Sequence, residues 1–257
     1  GCCVARLVLH VIMVLNLSSP LDDVVGNAGV NIVTFNLYDF KRNWSYLHEL
    51  TVSNNVVFVQ EHWLLTSELH LLQSVNSDFV VYAKSSMDER CKEGLLNGRP
   101  FGGVAVFVRK NLSHIVNFCD SDQDGRVICV KVVGGNLNLL IFGCYFPCND
   151  HSSTYVDNLS RVLGYIDSTA VCNPGFRVCI LGDLNFECVR SNQGYAVFSE
   201  LANDYSLVSC DDLITNDINF TYQHKTLNNK SFIDHVFIGP DLKSRIMTNL
   251  LFLRMKH

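Results

Sequence analysis

Residues 179–187 read Cys-Ile-Leu-Gly-Asp-Leu-Asn-Phe-Glu. An apolar run stops at a glycine, and an acid and an amide follow two positions apart. Gly, Asp and Asn are common turn formers, so the stretch is at the least a strand entering a turn. The same residue types suit chemistry. A carboxylate orients or deprotonates water, and an amide donates to oxygens on which charge builds. What Asp183 and Asn185 do beyond turning the chain depends on how the other strands end.

Several apolar runs end in the same way. Residues 30–37, VNIVTFNL, carry Asn36 near their end. Residues 55–61, NVVFVQE, finish at Glu61. Residues 126–133 and 136–146 flank a Gly-Gly pair and read as a hairpin whose second strand reaches Tyr145. The segments NFTYQH and SFIDHVFIG read as a closing hairpin pair carrying Thr221, Ser231 and Asp234. Further strands are expected at 79–84 and 103–110, and helices at 44–53, 66–75, 154–170 and 193–204. In the third helix Val156, Leu159, Val162, Leu163 and Ile166 recur at helical spacing. Apolar strands interleaved with helices predict an α/β chain of stacked sheets with helices outside. Strand ends on one edge of such a sheet converge on a crevice, where α/β proteins place ligands.

That set of side chains suits hydrolysis of a phosphodiester. A hard divalent cation takes oxygen ligands, chiefly carboxylates. Glu61 is the candidate anchor and Asn36 its helper. Asp183 is the candidate for orienting the attacking water, and Asn185 the candidate donor to the transition state.

Composition narrows the choice. The chain has 257 residues, 48% of them hydrophobic and 18% charged, which fits one large domain with a substantial core and excludes a disordered polymer. The formal net charge of −5 gives no global basic field for nucleic acid. A nucleic-acid enzyme of this composition needs a local basic rim, or metal ions to carry the phosphate contacts. Eleven cysteines include no Cys-x-x-Cys pair, which argues against a zinc site. Cys129, Cys144 and Cys179 lie inside strand-like runs and read as small buried hydrophobes in a reducing compartment. Residues 4–17 are apolar but carry Arg6 and His10. They also fall short of the roughly 20 apolar residues that a spanning helix needs. No membrane partner is expected, and residues 1–28 are set outside the fold as an N-terminal extension.

Taken in order, TFNLYDF around Asn36, VQEHWL around Glu61, GRPFGGVAVFVRK at 98–110, CYFPCN around Tyr145, LGDLN and SFIDHVFIG resemble the endonuclease/exonuclease/phosphatase superfamily. The wording QEHWL and GRPFGG is most similar to the apurinic-like endonuclease domain of non-LTR retrotransposons. The resemblance covers roughly residues 29–240. It implies an α/β (α+β) fold: a four-layer sandwich of two packed mixed β-sheets flanked by helices, with the domain running over 29–257. It implies Mg²⁺ or Mn²⁺ held by Glu61 with Asn36 beside it, and Tyr145 at the scissile phosphate. Asp183 would position the water, Asn185 would stabilise the transition state, and Asp234 would orient a catalytic histidine. Thr221 and Ser231 would be supporting hydrogen-bonders. Arg99, Arg109 and Lys110 are weaker candidates for the DNA backbone. The implied substrate is DNA, with a reverse transcriptase downstream in the parent element and a nuclear site of action.

Two departures from the family pattern stand out. The family's histidine lies in a Ser-Asp-His stretch after the SFIDH strand, and no Ser-Asp-His occurs in this sequence. The expectation is therefore a domain truncated at its C-terminus, lacking its last strand and leaving a bare sheet edge, with impaired catalysis. His235 adjoins Asp234, but neighbouring strand residues point to opposite faces, so it is not expected to stand in. Cys148 occupies the place where many relatives carry Asn.

Overall fold

The computed structural model describes residues 9–15, 29–92, 95–96, 98, 100–134, 137–188, 192–211, 220–223 and 229–252. In chain order the elements are β1 (Leu9–Leu15), β2 (Val30–Asn36), α1 (Phe40–Ser53), β3 (Val56–Gln60), α2 (His70–Gln73) and β4 (Phe79–Lys84). Two short strands, β5 (Cys91–Lys92) and β6 (Leu95–Leu96), precede β7 (Val104–Arg109), β8 (Val116–Ser121), β9 (Val127–Gly134) and β10 (Leu137–Tyr145). Then come α3 (Tyr155–Val171), β11 (Arg177–Asp183), α4 (Gln193–Asp204), β12 (Val208–Ser209), β13 (Tyr222–Gln223), β14 (Lys230–Ser231), β15 (Asp234–Ile238) and β16 (Ile246–Phe252).

The main strands form two six-stranded sheets, ordered β16-β1-β2-β3-β7-β4 and β12-β15-β11-β10-β9-β8. Both are mixed: β2 runs parallel to β3 and β10 parallel to β11, and the other ladders are antiparallel. Their inner faces form one apolar core. Ile32, Val56, Phe58 and Val106 of the first sheet meet Val130, Ile141, Leu181 and Val236 of the second. On the outer face of the first sheet Val33, Phe35, Val57 and Phe107 pack under α1 and α2. On the outer face of the second, Leu140, Phe142, Ile180 and Phe237 pack under α3 and α4. This is the four-layer sandwich that the motifs imply. Runs such as Val56–Gln60 are buried throughout because both faces of each sheet are covered.

The helices follow from their apolar stripes. In α3, Leu159, Val162, Leu163, Ile166 and Ala170 are buried on one side. α1 begins earlier than its apolar spacing suggests, at Phe40, because the Asp39 side chain accepts from the Lys41 amide and caps the first turn. Cys129, Cys144 and Cys179 are fully buried.

Three expectations are corrected. The segment set outside the fold contributes β1, which pairs antiparallel with β2 from Val11↔Thr34 to Leu15↔Val30. Burial of Met13 and Leu15, together with the hydrogen bonds offered by the edge of β2, explains why this stretch joins the sheet. The edge expected to be bare is lined by β16, in register with β1 from Leu9↔Phe252 to Leu15↔Ile246. The closing hairpin is also shallower than expected. Tyr222–Gln223 pairs only with Lys230–Ser231, and Asp234–Ile238 instead runs against β11 and β12.

Candidate active site

Period-two alternation decides which strand-end residues meet. In β15, Val236 and Ile238 join the inter-sheet core and Phe237 the outer one, so Asp234 faces inward and His235 outward. In β11, Cys179 and Leu181 face inward, and so does Asp183. Tyr145 belongs to the inner core as well. The ladders place Tyr145 beside Asp183 and Asp183 beside Asp234, a row of three across neighbouring strands of the second sheet. The first sheet supplies the opposite wall, where Asn36 at the end of β2 pairs with Gln60 at the end of β3.

The two walls are joined by a single amide. Asn36 Nδ2 donates to Glu61 Oε1 at 2.9 Å and to Asp183 Oδ2 at 2.8 Å. With Nδ2 donating to two carboxylates, the opposite orientation of the amide would set Oδ1 against two anions, so the placement is fixed by chemistry. Asn36 Oδ1 is left buried without a partner. Trp63 Nε1 donates to Glu61 Oε2 at 3.0 Å, and the Tyr38 ring lies 4.5 Å from the Trp63 ring. Glu61, Asp183 and Asp234 are all buried.

The backbone around this pocket is held in sparsely populated conformations. Positive φ occurs at Tyr38 (49°), Asp39 (92°), Glu61 (55°), Trp63 (58°) and Asn185 (54°). Each such non-glycine residue costs energy that surrounding structure must offset, and such residues gather at functional sites. At Asn185 the turn is fixed twice. Its amide N–H donates to Asp183 Oδ1 at 3.2 Å, and its Nδ2 donates to the Phe146 carbonyl at 2.8 Å.

Thr221 and Ser231 support the site through the backbone. Thr221 Oγ1 accepts from the amides of Ile233 at 2.9 Å and Asp234 at 3.0 Å, and the Thr221 amide donates to the Ser231 carbonyl at 2.9 Å. Together these set the start of β15 and hence the position of Asp234.

His62, next to Glu61, is a structural pin. Its Nδ1 accepts from the Leu64 amide at 3.0 Å, so Nε2 carries the proton that it donates to the Lys84 carbonyl at 3.1 Å. Burial pushes its pKa down to about 4, which keeps the ring neutral. Gly103, at φ 84°, lies so close that a Cβ there would come within 2.5 Å of the ring.

One participant escapes the strand-end pattern. Arg126, just before β9, lies with its guanidinium 5.5 Å from the Tyr145 ring and 5.3 Å from the Phe101 ring. Burial lowers its pKa, and Tyr145, Asp122, Asp124 and Glu61 oppose that shift. The Tyr145 phenol is in turn raised well above its ordinary value, by burial first and then by the charges of Glu61 and Asp183, so it remains a hydrogen-bond donor. The Asp-Gly-Arg run at 124–126, opposite Tyr145 in the hairpin, was the available signal. Beyond Arg126 a cleft of about 430 Å³ opens, lined by Lys84, Arg90, Arg126 and Arg161 and also by Asp88 and Asp124, the last paired with Arg161 at 3.3 Å. Glu61 and Asp183 do not line this cleft, so it adjoins the carboxylate pocket rather than coinciding with it.

The basic candidates fare differently. Arg109 Nη2 donates to the carbonyls of Thr51 at 2.7 Å and Asn54 at 3.1 Å, and the guanidinium lies over the Phe79 ring at 4.7 Å. It therefore closes the C-terminus of α1. In the β3–β7 ladder Val104 pairs with Gln60 next to the site, whereas Val108 pairs with Val56 at the far end. Arg109 and the exposed Lys110 thus lie at the opposite end of the sheet from Glu61. Arg99 lies outside the described residues.

The architecture places this chain among proteins with an endonuclease/exonuclease/phosphatase fold. An AP endonuclease from Leishmania major superposes with a TM-score of 0.61 at 12% identity, over 83% of this chain and 80% of that one. The 3′ phosphatase NExo from Neisseria, solved with a product DNA hairpin, gives 0.59 at 15% identity over 82% and 86%. The endonuclease domain of TRAS1, a telomere-specific non-LTR retrotransposon, gives 0.53 at 12% identity over 82% and 84%. No family model matches the sequence, and no curated protein matches it. Among the described residues, no helix is long and apolar enough to cross a membrane.

Proposed function

We propose that this chain is a divalent-metal-dependent phosphodiesterase acting on DNA, derived from the endonuclease of a retroelement. The observation that carries the reading is the bridge from Asn36 to both Glu61 and Asp183. Two buried carboxylates share one neutral donor, and the oxygen of that same amide is buried without a partner. Like charges so placed call for a cation, and an all-oxygen donor set suits a hard one such as Mg²⁺ or Mn²⁺. The residues therefore fit the ion, with Glu61 and Asn36 Oδ1 as its holders. When bound, the ion supplies Lewis-acid polarisation of the phosphoryl oxygen.

The chain's own residues account for the rest. Asp183 orients the attacking water and accepts its proton. Asn185, its amide plane locked by Phe146, offers its remaining amide hydrogen to the oxygens that gain charge. Tyr145, kept protonated, donates to the phosphate, and Arg126 adds positive charge behind it. Asp234 completes the acidic wall. The cleft beyond Arg126, where four cations outnumber Asp88 and Asp124, suits the flanking backbone of the substrate. The retroelement origin is supported by the QEHWL and GRPFGG wording and by the likeness in fold to the TRAS1 domain; a downstream polymerase partner is proposed only as a consequence of that origin.

A second reading, a catalytically impaired remnant that still binds metal or DNA, is favoured by one feature. The described pocket holds no histidine: His62 is pinned behind it and His235 faces away. Supercoiled-plasmid nicking in Mg²⁺ separates the two. Nicking that disappears in Asp183→Ala and with chelator supports the enzyme. Absence of nicking by a folded chain that still binds Mn²⁺ supports the remnant. Nicking indifferent to Asp183→Ala overturns the assigned site.

A further inference from the structure

Directly behind the acidic wall, on the outer face of β15, lies a second set of ligating side chains. Cys188, Asp211 and His235 each offer an atom, and the three atoms lie within 4.8 Å of one another. The ring of His235 is 1% exposed, while Cys188 and Asp211 are half-buried. His235 Nε2 donates to the Phe186 carbonyl at 2.8 Å, and Nδ1 lies 2.9 Å from Asp211 Oδ2. Cys188 Sγ lies 3.6 Å from both ring nitrogens, which places it over the imidazole.

We infer that Cys188, His235 and Asp211 form a zinc site that staples the catalytic turn. A ligating histidine characteristically gives its other N–H to a carbonyl or carboxylate, which fixes the tautomer and aims the free nitrogen at the ion. The Phe186 carbonyl holds Nε2 in that way and leaves Nδ1 on the side of Asp211. A thiolate, an imidazole and a carboxylate make a borderline-soft donor set that suits Zn²⁺ and does not suit Mg²⁺. In a tetrahedral site with Zn–S near 2.3 Å and Zn–N near 2.0 Å, sulfur and nitrogen stand roughly 3.6 Å apart. The sulfur lies 3.6 Å from both ring nitrogens, over the ring face, so uptake of the ion requires the Cys188 side chain to swing toward the Nδ1 edge of the ring. The Asp211 carboxylate, half-exposed, moves outward by a few tenths of an ångström and leaves the fourth position to water. Binding releases the Cys188 thiol proton and any proton on Nδ1.

The location gives the staple its use. Residues 183–186 carry Asp183 and Asn185 and end at Phe186, whose carbonyl holds His235. His235 adjoins Asp234 in the chain, and Asp211 follows β12. One ion would tie the turn after β11 to β15 and to the segment after β12, fixing Asp183 and Asp234 from behind. The sequence hides the site because its ligands come from positions 188, 211 and 235, with no Cys-x-x-Cys pair.

The test uses the full chain, freed of metal by chelator and titrated with Zn²⁺ and, separately, with Co²⁺. The expected result is one tight Zn²⁺ equivalent that raises the Tm, and a thiolate-to-cobalt charge-transfer band with Co²⁺. Both should vanish in Cys188→Ser and weaken at least tenfold in affinity in Asp211→Asn. Both variants change half-exposed residues, and circular dichroism checks their folding. Glu61→Gln should leave the band intact, which keeps this result separate from the active-site reading. No Zn²⁺ uptake, a cobalt spectrum without thiolate character, or unaltered binding in Cys188→Ser overturns the assignment and leaves a buried His235–Asp211 ion pair.

Discussion

Asn36 at the end of β2 and Asp183 at the end of β11 lie 147 positions apart in sequence, yet Nδ2 of the first sits 2.8 Å from Oδ2 of the second. That hydrogen bond crosses between the sheets and fixes the width of the pocket. Because the same nitrogen also holds Glu61, truncation at this position removes a hydrogen bond from both carboxylates at once. Asn36→Ala should therefore lower the plasmid nicking rate by about a hundredfold or more, the scale seen when one preorganised polar group is lost. It should also weaken Mn²⁺ affinity. A rate within threefold of wild type would show that the amide is only a spacer.

Thr221 supports Asp234 through its hydroxyl, which accepts two backbone amides. Thr221→Val keeps the shape and removes the acceptor. An orphaned buried amide costs about 1–3 kcal/mol, and the part-buried Ile233 amide adds less than the buried Asp234 amide, so a loss of about 2–4 kcal/mol is expected in urea unfolding, together with reduced nicking. Thr221→Ser retains the oxygen and should recover most of both. Equal stabilities for the two variants would remove Thr221 from its supporting role.

Gly103 allows the Glu61–His62 loop to pack against β7. Alanine there meets both a left-handed backbone at φ 84° and the His62 ring. Strain and overpacking together should cost about 2–4 kcal/mol, read as a lower Tm. An unchanged Tm would mean that the loop relaxes freely, and that His62 does not pin Glu61.

The two arginines should separate cleanly. Arg109→Ala removes hydrogen bonds to carbonyls at the end of α1 and should cost about 1–2 kcal/mol of stability, leaving DNA affinity and its salt dependence unchanged. Arg126→Ala should weaken DNA binding and reduce the salt slope by about one. A DNA-binding defect confined to Arg109→Ala would reverse the assignment.

Much of this architecture could be read in the chain because period and punctuation agreed. The apolar runs 30–37, 55–61 and 126–146 became strands, and the helical stripe from Val156 to Ile166 became α3. Alternation alone set Asp234 and His235 on opposite faces of their strand. What escaped had a tertiary cause. The strand at Leu9–Leu15 becomes one only by adding to the edge of β2 and pairing with β16. Arg109 looked like a free cation because its carbonyl partners lie more than fifty residues earlier. Arg126 ends no strand, so its proximity to Tyr145 depends on hairpin register. The Cys188–Asp211–His235 group had no local spacing to betray it.

The account stands most directly on metal binding at Glu61. Mn²⁺ titration by electron paramagnetic resonance, in a Cys188→Ser background so that only the oxygen site counts, measures it without requiring turnover. The account predicts one Mn²⁺ equivalent, weakened at least tenfold by Glu61→Gln in a chain that circular dichroism shows to be folded. Equal Mn²⁺ binding with and without Glu61→Gln would contradict it.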